Sequence, residues 1–406
     1  MRFSPRLIVY FVFGLLFLAM GYVLAPIFNP VMQSESGLIY ADFLQYLTGV
    51  RIAILGNATQ LYDLGLQHQV QVQLVDEAVG SAPVIAPDDI LLFNYPPWLP
   101  LILSWMAPLS IHTAYGSWLA LNLILLLTML WALLRPYPLL HQCIGLLFIL
   151  TFVPVLQCLQ LGQAGILLAF ALTFYWRWAE THPKRAANAF ILGAIKPQLV
   201  LLPTIHILLS RQVPLIKRLV RYSFLLIAIV TLYFGPTIWL DWLELLQRMS
   251  AFTTQYRIDL TSQPNLRGAA IRFWGMEALF EITVITNAIF VAAIIYTAWL
   301  WRRPIASDRL RTLLFSRTAV LGLIFCPWLH PHDLALAIPM VFWQWPPNRG
   351  KAYGISLIGM QILYYTLPAT AVISGGFAFL VFLLCWNFWL THQSEETHGL
   401  TFDPAR

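Results

Sequence analysis

Long apolar runs separated by short polar breaks dominate the chain from residue 7 to residue 390. They fall near 7–28, 98–109, 113–134, 139–159, 163–178, 187–209, 219–240, 278–301, 313–329, 333–345, 352–368 and 372–390. A helix that crosses a bilayer needs about 20 apolar residues, and most of these runs approach that length. Backbone groups in hydrocarbon find no water, so such runs must satisfy their hydrogen bonds internally as helices. The short alternating segments of a membrane barrel are absent. The pattern predicts an all-α polytopic membrane protein with about 10–12 transmembrane helices.

The long polar insertion lies between Asn29 and about Tyr95. Within it, 40–56 and 61–79 carry mixed apolar and polar positions at helical spacing, as expected of helices along the membrane interface. The 81–97 stretch is proline-rich and ends in Asn94-Tyr95-Pro96-Pro97-Trp98. A second, shorter polar loop spans 241–272. Residues 1–390 read as a single transmembrane domain, followed by a polar, acidic tail over 391–406.

Composition supports the lipid-solvated reading. Hydrophobic residues make up 59% and charged residues 10% of the chain, with a mean hydropathy of +0.71. A soluble domain carries about 25% charged residues. The net charge of +6 sits in short clusters between apolar runs, a membrane-topology signal and not a nucleic-acid surface. Cys143, Cys158, Cys326 and Cys385 lie in or beside apolar runs without CxxC spacing, which argues against a disulfide or zinc framework. The run from Leu7 to Phe28 is too long for a signal-peptide core and reads as an uncleaved first span.

Basic residues orient the spans. Arg2 and Arg6; Arg211, Lys217, Arg218 and Arg221; Arg302, Arg303, Arg309 and Arg311; and Arg349 with Lys351 can all be cytoplasmic under one alternation of crossings. The 29–97 loop holds seven acidic residues against Arg51 alone, so it should be extracytoplasmic, as should 241–272. Residues 98–209 admit two schemes. If every apolar run crosses, the His182-Pro183-Lys184-Arg185 loop lies outside, against the rule. If 98–109 and the proline-broken 187–209 are re-entrant, that loop falls inside. Both schemes put the two termini in the cytoplasm.

Four places carry residues able to do chemistry. Asp42 follows the first span in Tyr40-Ala-Asp-Phe-Leu-Gln-Tyr46. A carboxylate at the mouth of a water-poor cavity can take a proton from a hydroxyl, and an Asp just before a helix can equally cap it. Pro327-Trp-Leu-His-Pro-His-Asp333 packs His330, His332 and Asp333 into a compact polar end, suited to a phosphate or a leaving group but also readable as an interfacial turn. The 241–272 loop holds Arg248, Arg257, Arg267 and Arg272, basic residues where the charge rule disfavours them, together with the polar Gln263. Lys196, in Ala194-Ile-Lys-Pro-Gln198, lies within an apolar run, where a charge implies an anionic partner or a side chain reaching for the surface. Leu161-Gly-Gln163 is a weaker polar break of the same kind. No P-loop, GxSxG or HExxH motif occurs.

Taken in order, these features resemble the GT-C membrane glycosyltransferases. More narrowly they resemble glycosyltransferase family 87, the polyprenyl-phosphate-mannose-dependent α-1,2-mannosyltransferase-like proteins. The resemblance runs over about residues 7–345. It rests on Asp42 with Tyr46, Gly56, Leu61-Tyr62-Asp63, Tyr95-Pro96-Pro97, Pro108-Leu109, Gly162-Gln163 and Gly193 with Lys196-Pro197. Ser262-Gln263, Asn265-Leu266-Arg267-Gly268 and Pro327 with His330-Pro-His-Asp333 complete it. The resemblance implies a GT-C type fold in a bacterial inner membrane, with an extracytoplasmic active site. It implies a polyprenyl-phosphate sugar donor, mannose in the family's description, and a glycan or glycolipid acceptor. Asp42 would be the general base of an inverting transfer, and His330 or His332, Lys196 and an arginine of 257–272 would hold the departing phosphate. Tyr95, Gln163, Gln263 and Asp333 would line the same site, and no metal or other cofactor is implied. A transporter or flippase of a lipid-linked sugar is the alternative, although its usual paired halves are not visible here.

Overall fold

The computed structural model describes residues 42–80, 90–209, 212–251, 259–303, 305, 307–345, 350–368 and 371–397. The first apolar run and Arg257 lie outside these residues. Every regular element among the described residues is a helix. Three helical segments, Ile111–Leu134, Met276–Leu300 and Gly375–Ser394, are long and apolar enough to cross a membrane. Two bent pairs, Leu139–Thr151 with Val153–Leu161 and Val213–Phe234 with Ile238–Met249, bring that to five if each pair is one span. Met276–Leu300 is only 17% buried over its most apolar window, with Phe280, Val284, Ile285, Val291 and Ile295 facing outward. An apolar strip of that length needs lipid as its solvent. The chain is an all-α polytopic membrane protein.

The helices group into two compact units. The first comprises Met1–Leu126, Gln157–Ala164 and Leu219–Asp259. It begins, where described, with the Phe43–Leu55 helix, which is covered on nearly every side through Phe43, Leu44, Tyr46, Leu47, Val50 and Ile52. Gly49 admits the Phe93 ring to its face, since a Cβ there would fall 2.5 Å from the ring. The next helix, Leu64–Val79, starts where the Asp63 carboxylate accepts from Leu66 N at 2.7 Å and stops at Gly80, whose φ of 72° suits glycine.

Two glutamines of that helix solve a local hydrogen-bonding problem. The 90–95 stretch is not helical, so its buried backbone groups need partners from elsewhere. Gln71 donates to Leu91 O at 2.6 Å and accepts from Leu91 N at 3.1 Å. Gln67 accepts from Phe93 N at 2.9 Å and donates to Leu61 O at 3.1 Å. Four helical residues rise about 6 Å and two extended residues advance about 6.6 Å, so amides at i and i+4 can meet alternate residues of an extended chain. The helix thus acts as a surrogate edge strand. Trp242 Nε1 then donates to Asn94 O at 3.0 Å and Tyr62 OH to Tyr95 O at 2.8 Å, which delivers Tyr95 in one position. Burial, with the Asp241 carboxylate as a smaller cause, pushes the Tyr62 phenol well above its usual range, so it remains the donor.

The second unit comprises Leu127–Leu156, Gly165–Arg218 and Leu260–Arg406. Its Gly165–Trp178 helix leads to a turn at Glu180, where Glu180 pairs with Arg311 near the start of the Asp308–Phe325 helix. That pair puts the 180–185 turn at the same end of the unit as Arg302, Arg303 and Arg309. The chain then enters as the nine-residue Pro183–Ile191 helix and breaks into two 3-10 turns around Lys196. It returns as the nine-residue Leu201–Leu209 helix. Leu209 and Gln212 line the same cavity as Glu180 and Thr181, so the segment comes back to the end it left. Each arm is about 14 Å long, half of a bilayer core of about 30 Å. The 187–209 run therefore folds as a hairpin with Lys196 at its tip, and the His182–Arg185 turn lies at the end of the unit that carries Arg302, Arg303 and Arg309. The 98–109 run likewise forms only the four-residue Leu99–Ile102 helix and a 3-10 turn, too short to cross.

Buried polar groups tie the unit's helices together. Arg317, in the middle of Asp308–Phe325, donates to Asn387 Oδ1 at 3.0 Å, Tyr296 OH at 3.3 Å and Thr391 Oγ1. Thr391 still belongs to the last helix, which continues to Thr397, past the point where the polar tail begins.

The hairpin makes lysines and arginines near 184 and 303 accessible from one side. In a background lacking Cys143 and Cys385, Lys184→Cys and Arg303→Cys should label with an impermeant thiol reagent from the same face of sealed vesicles. Labelling from opposite faces would mean that 187–209 crosses. The glutamine ladder gives a second expectation. Gln71→Leu strands the Leu91 N–H and C=O, and at about 1–3 kcal/mol per orphaned group the variant should melt several degrees lower in detergent.

Candidate functional site

In the first unit, Asp42 occupies the residue before the Phe43–Leu55 helix but does not cap it. Its backbone is itself helical, with φ −55° and ψ −21°, and its carboxylate makes no capping bond. The side chain is half-buried and Oδ1 accepts from Gln45 Nε2 at 3.2 Å. The capping alternative is thus not realised. One turn on, Tyr46 lies on the same helical face. Its hydroxyl is 3.0 Å from Gln163 Oε1 and 3.2 Å from Tyr95 OH, and Tyr95 OH is 3.4 Å from the same Gln163 oxygen. Three buried polar side chains, from positions 46, 95 and 163, thus share one small hydrogen-bonded cluster.

The backbone around Gln163 is built to hold it there. Gly162 has φ 70°, and a Cβ on it would fall 2.6 Å from Phe43 Cβ, so only glycine fits. Trp118 Nε1 donates to Gly162 O at 2.7 Å, and Tyr115 OH to Leu159 O at 2.7 Å. The polar break Leu161-Gly-Gln163 is therefore a rigid presentation of one amide.

In the second unit, the hairpin tip meets the His-Pro-His-Asp turn. Lys196 Nζ donates to Asp333 Oδ1 at 2.6 Å and stands 3.4 Å from His332 Nε2, with all three side chains buried. Asp333 Oδ2 accepts from His330 N at 3.0 Å, closing the turn that starts the Pro331–Ala337 3-10 helix. The His330 and His332 rings stack with centroids 5.4 Å apart. His332 Nε2 also lies 3.6 Å from Asp333 Oδ1, so the imidazole stands beside both the cation and the carboxylate. The anionic partner expected for Lys196 is Asp333.

The 260–275 segment of the same unit is a second built element. Asn265 caps the Leu266–Trp274 helix by accepting from Gly268 N at 2.8 Å, and its Nδ2 donates to Cys326 O at 2.7 Å. Gly268 passes so close that a Cβ would fall 2.0 Å from Gln263 O. Arg272 donates to Thr261 O at 2.5 Å and to Gln263 O at 2.9 Å, so its role is to hold that loop. Arg267 donates to Thr283 Oγ1 at 3.0 Å, and its guanidinium lies 5.0 Å over the Trp328 ring, two residues before His330. Gln263 Nε2 and Arg267 Nε are buried donors without a hydrogen-bond partner. Such donors are rare, and they are the groups an anionic ligand would engage.

The sequence reading singled out Lys196, Gln163, Gln263, Arg267, His332 and Asp333, and its motifs also included Tyr46, Tyr62, Gly162, Asn265 and Gly268, which the structure places beside them. Trp118, Tyr115 and the Gln67/Gln71 pair carry no local signal, because their partners lie 20 to 45 residues away.

A lipid-solvated helical protein with a buried cation–carboxylate–imidazole cluster and a glycine-tight polar loop is the architecture of an integral membrane enzyme or carrier. Comparison with known families decides between them. The model of glycosyltransferase family 87 matches residues 93–327, more than half of the 406. The chain belongs to glycosyltransferase family 87 and is a membrane glycosyltransferase. The matched range holds Tyr95, Gln163, Lys196, Gln263, Arg267 and Arg272; Asp42 precedes it and His330, His332 and Asp333 follow it directly. No curated protein and no solved structure matches the chain.

The Lys196–Asp333 pair sets a stability expectation. Lys196→Met leaves a buried, unpaired carboxylate and should cost about 3–5 kcal/mol. Adding Asp333→Asn, which keeps an acceptor for the His330 N–H, should recover most of the melting temperature. A double variant no more stable than Lys196→Met would show that the charge pair does not hold the hairpin tip.

Proposed function

We propose that the protein moves a sugar from a polyprenyl-phosphate donor to a hydroxyl of a glycan or glycolipid on the extracytoplasmic face of the bacterial inner membrane. Mannose is the donor sugar we favour, by the family resemblance. The observation that carries the reading is Asp42: a half-buried carboxylate at a helix start that is not consumed in capping. It stands one turn from the Tyr46–Tyr95–Gln163 cluster.

In this scheme Asp42 takes the proton of the acceptor hydroxyl as its oxygen bonds to the anomeric carbon from the side opposite the phosphate. The carbon–oxygen bond to the phosphate breaks, and the configuration inverts. The donor leaves as polyprenyl phosphate with one more negative charge than it had as a diester. Groups that meet this developing charge stabilise the transition state more than the ground state. Lys196, His330, His332, Arg257 and Arg267 are assigned to it, with the Gln263 amide as a neutral donor. Asp333 fixes Lys196 and the histidine turn, and Arg272 fixes the Gln263 loop. Tyr95 and Gln163 orient the sugars through hydroxyl contacts.

The test is transfer from a radiolabelled polyprenyl-phosphate sugar by the full chain reconstituted in vesicles. Asp42→Asn should lower the rate about 10²–10⁴-fold while the protein folds and binds donor normally. Unchanged transfer in that variant would remove Asp42 as the base. Movement of the lipid across the bilayer without transfer would replace the enzyme with a carrier.

A further inference from the structure

Each of the three helical segments long and apolar enough to cross a membrane carries a single asparagine. In Ile111–Leu134 it is Asn122, which is buried and donates from Nδ2 to Trp118 O at 2.9 Å. In Gly375–Ser394 it is Asn387, also buried, which donates to Leu313 O at 2.9 Å and accepts from Arg317 Nε at 3.0 Å. In Met276–Leu300 it is Asn287, and this one faces outward. Among the described residues, no hydrogen bond reaches its amide. At 1.5 Å per residue it stands about 17 Å from Met276 and about 20 Å from Leu300, near the middle of the span. A side chain this short cannot reach water from there, and hydrocarbon offers it neither donor nor acceptor.

The positions around Asn287 show what it faces. At alternating spacings of four and three, the helix presents Phe280, Val284, Asn287, Val291, Ile294 and Ala298. Phe280, Val284, Asn287 and Val291 are exposed, and Ile294 and Ala298 are half-buried. That 3.5-residue repeat is the seam of a left-handed helix pair, and one asparagine in such a seam fixes its register. Glu281 lies about 100° around the helix from Phe280, so the seam itself carries no charge.

The amide also selects the partner. It both donates and accepts, so it is its own complement. Copies of one membrane protein insert in the same orientation, so two of them meet about an axis along the bilayer normal. Their Met276–Leu300 helices then run parallel, and a residue on the axis meets itself at equal depth. We propose that the Phe280–Ala298 face pairs with the same face of a second copy of this chain. Nδ2 of each Asn287 donates to Oδ1 of the other, and the apolar positions above and below close the seam against lipid. The contact is isologous, so it ends at a dimer.

Single-molecule photobleaching of the labelled full chain in vesicles, over a range of protein-to-lipid ratios, tests this. The wild type should pass from one-step to two-step bleaching as its density rises, and no further. Asn287→Leu, which keeps the seam apolar, should need about tenfold higher density for the same dimer fraction. Cross-linking gives an independent reading in a background lacking Cys143 and Cys385. There Asn287→Cys should form a disulfide with its own copy under mild oxidation. Leu232→Cys, at an outward-facing position of the Val213–Phe234 helix, should not. A wild type that stays monomeric at the highest density, or association unchanged in Asn287→Leu, would overturn the proposal. So would equal cross-linking at 232 and 287, which would reduce the contact to random collision.

Discussion

A lysine buried within an apolar run is the constraint around which the second unit is organised. Lys196 stands at a point where an unpaired ammonium would cost several kcal/mol, and it joins Asp333 across 137 residues of sequence. That one pairing fits a 187–209 run that goes in and turns back. The chain has only to reach Asp333, and two nine-residue helices are long enough to go in and come back. The break at the tip, with Pro197 and two 3-10 turns, leaves non-helical backbone at depth, tolerated where protein and not lipid surrounds it. Asp333 in turn closes the histidine turn through His330 N, so the cation, the carboxylate and the imidazoles are positioned by one another.

The first unit meets a comparable demand with neutral groups. A non-helical stretch must be buried to bring Tyr95 inward, and two glutamine amides on a neighbouring helix satisfy its backbone. Tyr62 and Trp242 complete the job at residues 95 and 94. Gly162 then lets the Gln163 loop press against Phe43. Hydrogen bonds to buried backbone are worth little individually but are expensive to leave unmade, which is why these supports are numerous and specific.

Within each unit the polar side chains thus make hydrogen bonds that are mostly internal. Arg272 shows the consequence: a loop arginine that reads as a phosphate ligand instead spends its donors on the carbonyls of residues 261 and 263. Arg267 and Gln263 keep buried donors in reserve, Nε and Nε2 respectively. The family match over 93–327 includes all three, so a motif in sequence mixes residues that hold the loop with residues free to meet a ligand.

The sequence by itself determined that the chain is helical and lipid-solvated, because apolar length and charge scarcity are local properties that each segment displays alone. It also located the polar breaks at 42, 163, 196, 263–268 and 330–333, and the helices near 40–56 and 61–79 appear at Phe43–Leu55 and Leu64–Val79. Hydropathy could not decide whether 98–109 and 187–209 cross, since a re-entrant arm and a short span have the same composition. For 187–209 the reading rests on the Glu180–Arg311 and Lys196–Asp333 pairs, contacts between residues more than 100 positions apart, and for 98–109 on the shortness of its helices. Likewise, whether Asp42 caps its helix or keeps its carboxylate for other partners depends on backbone angles that only the packed chain sets. Pattern reports what each segment must be solvated by; the partner of a buried charge or amide is a matter of tertiary geometry.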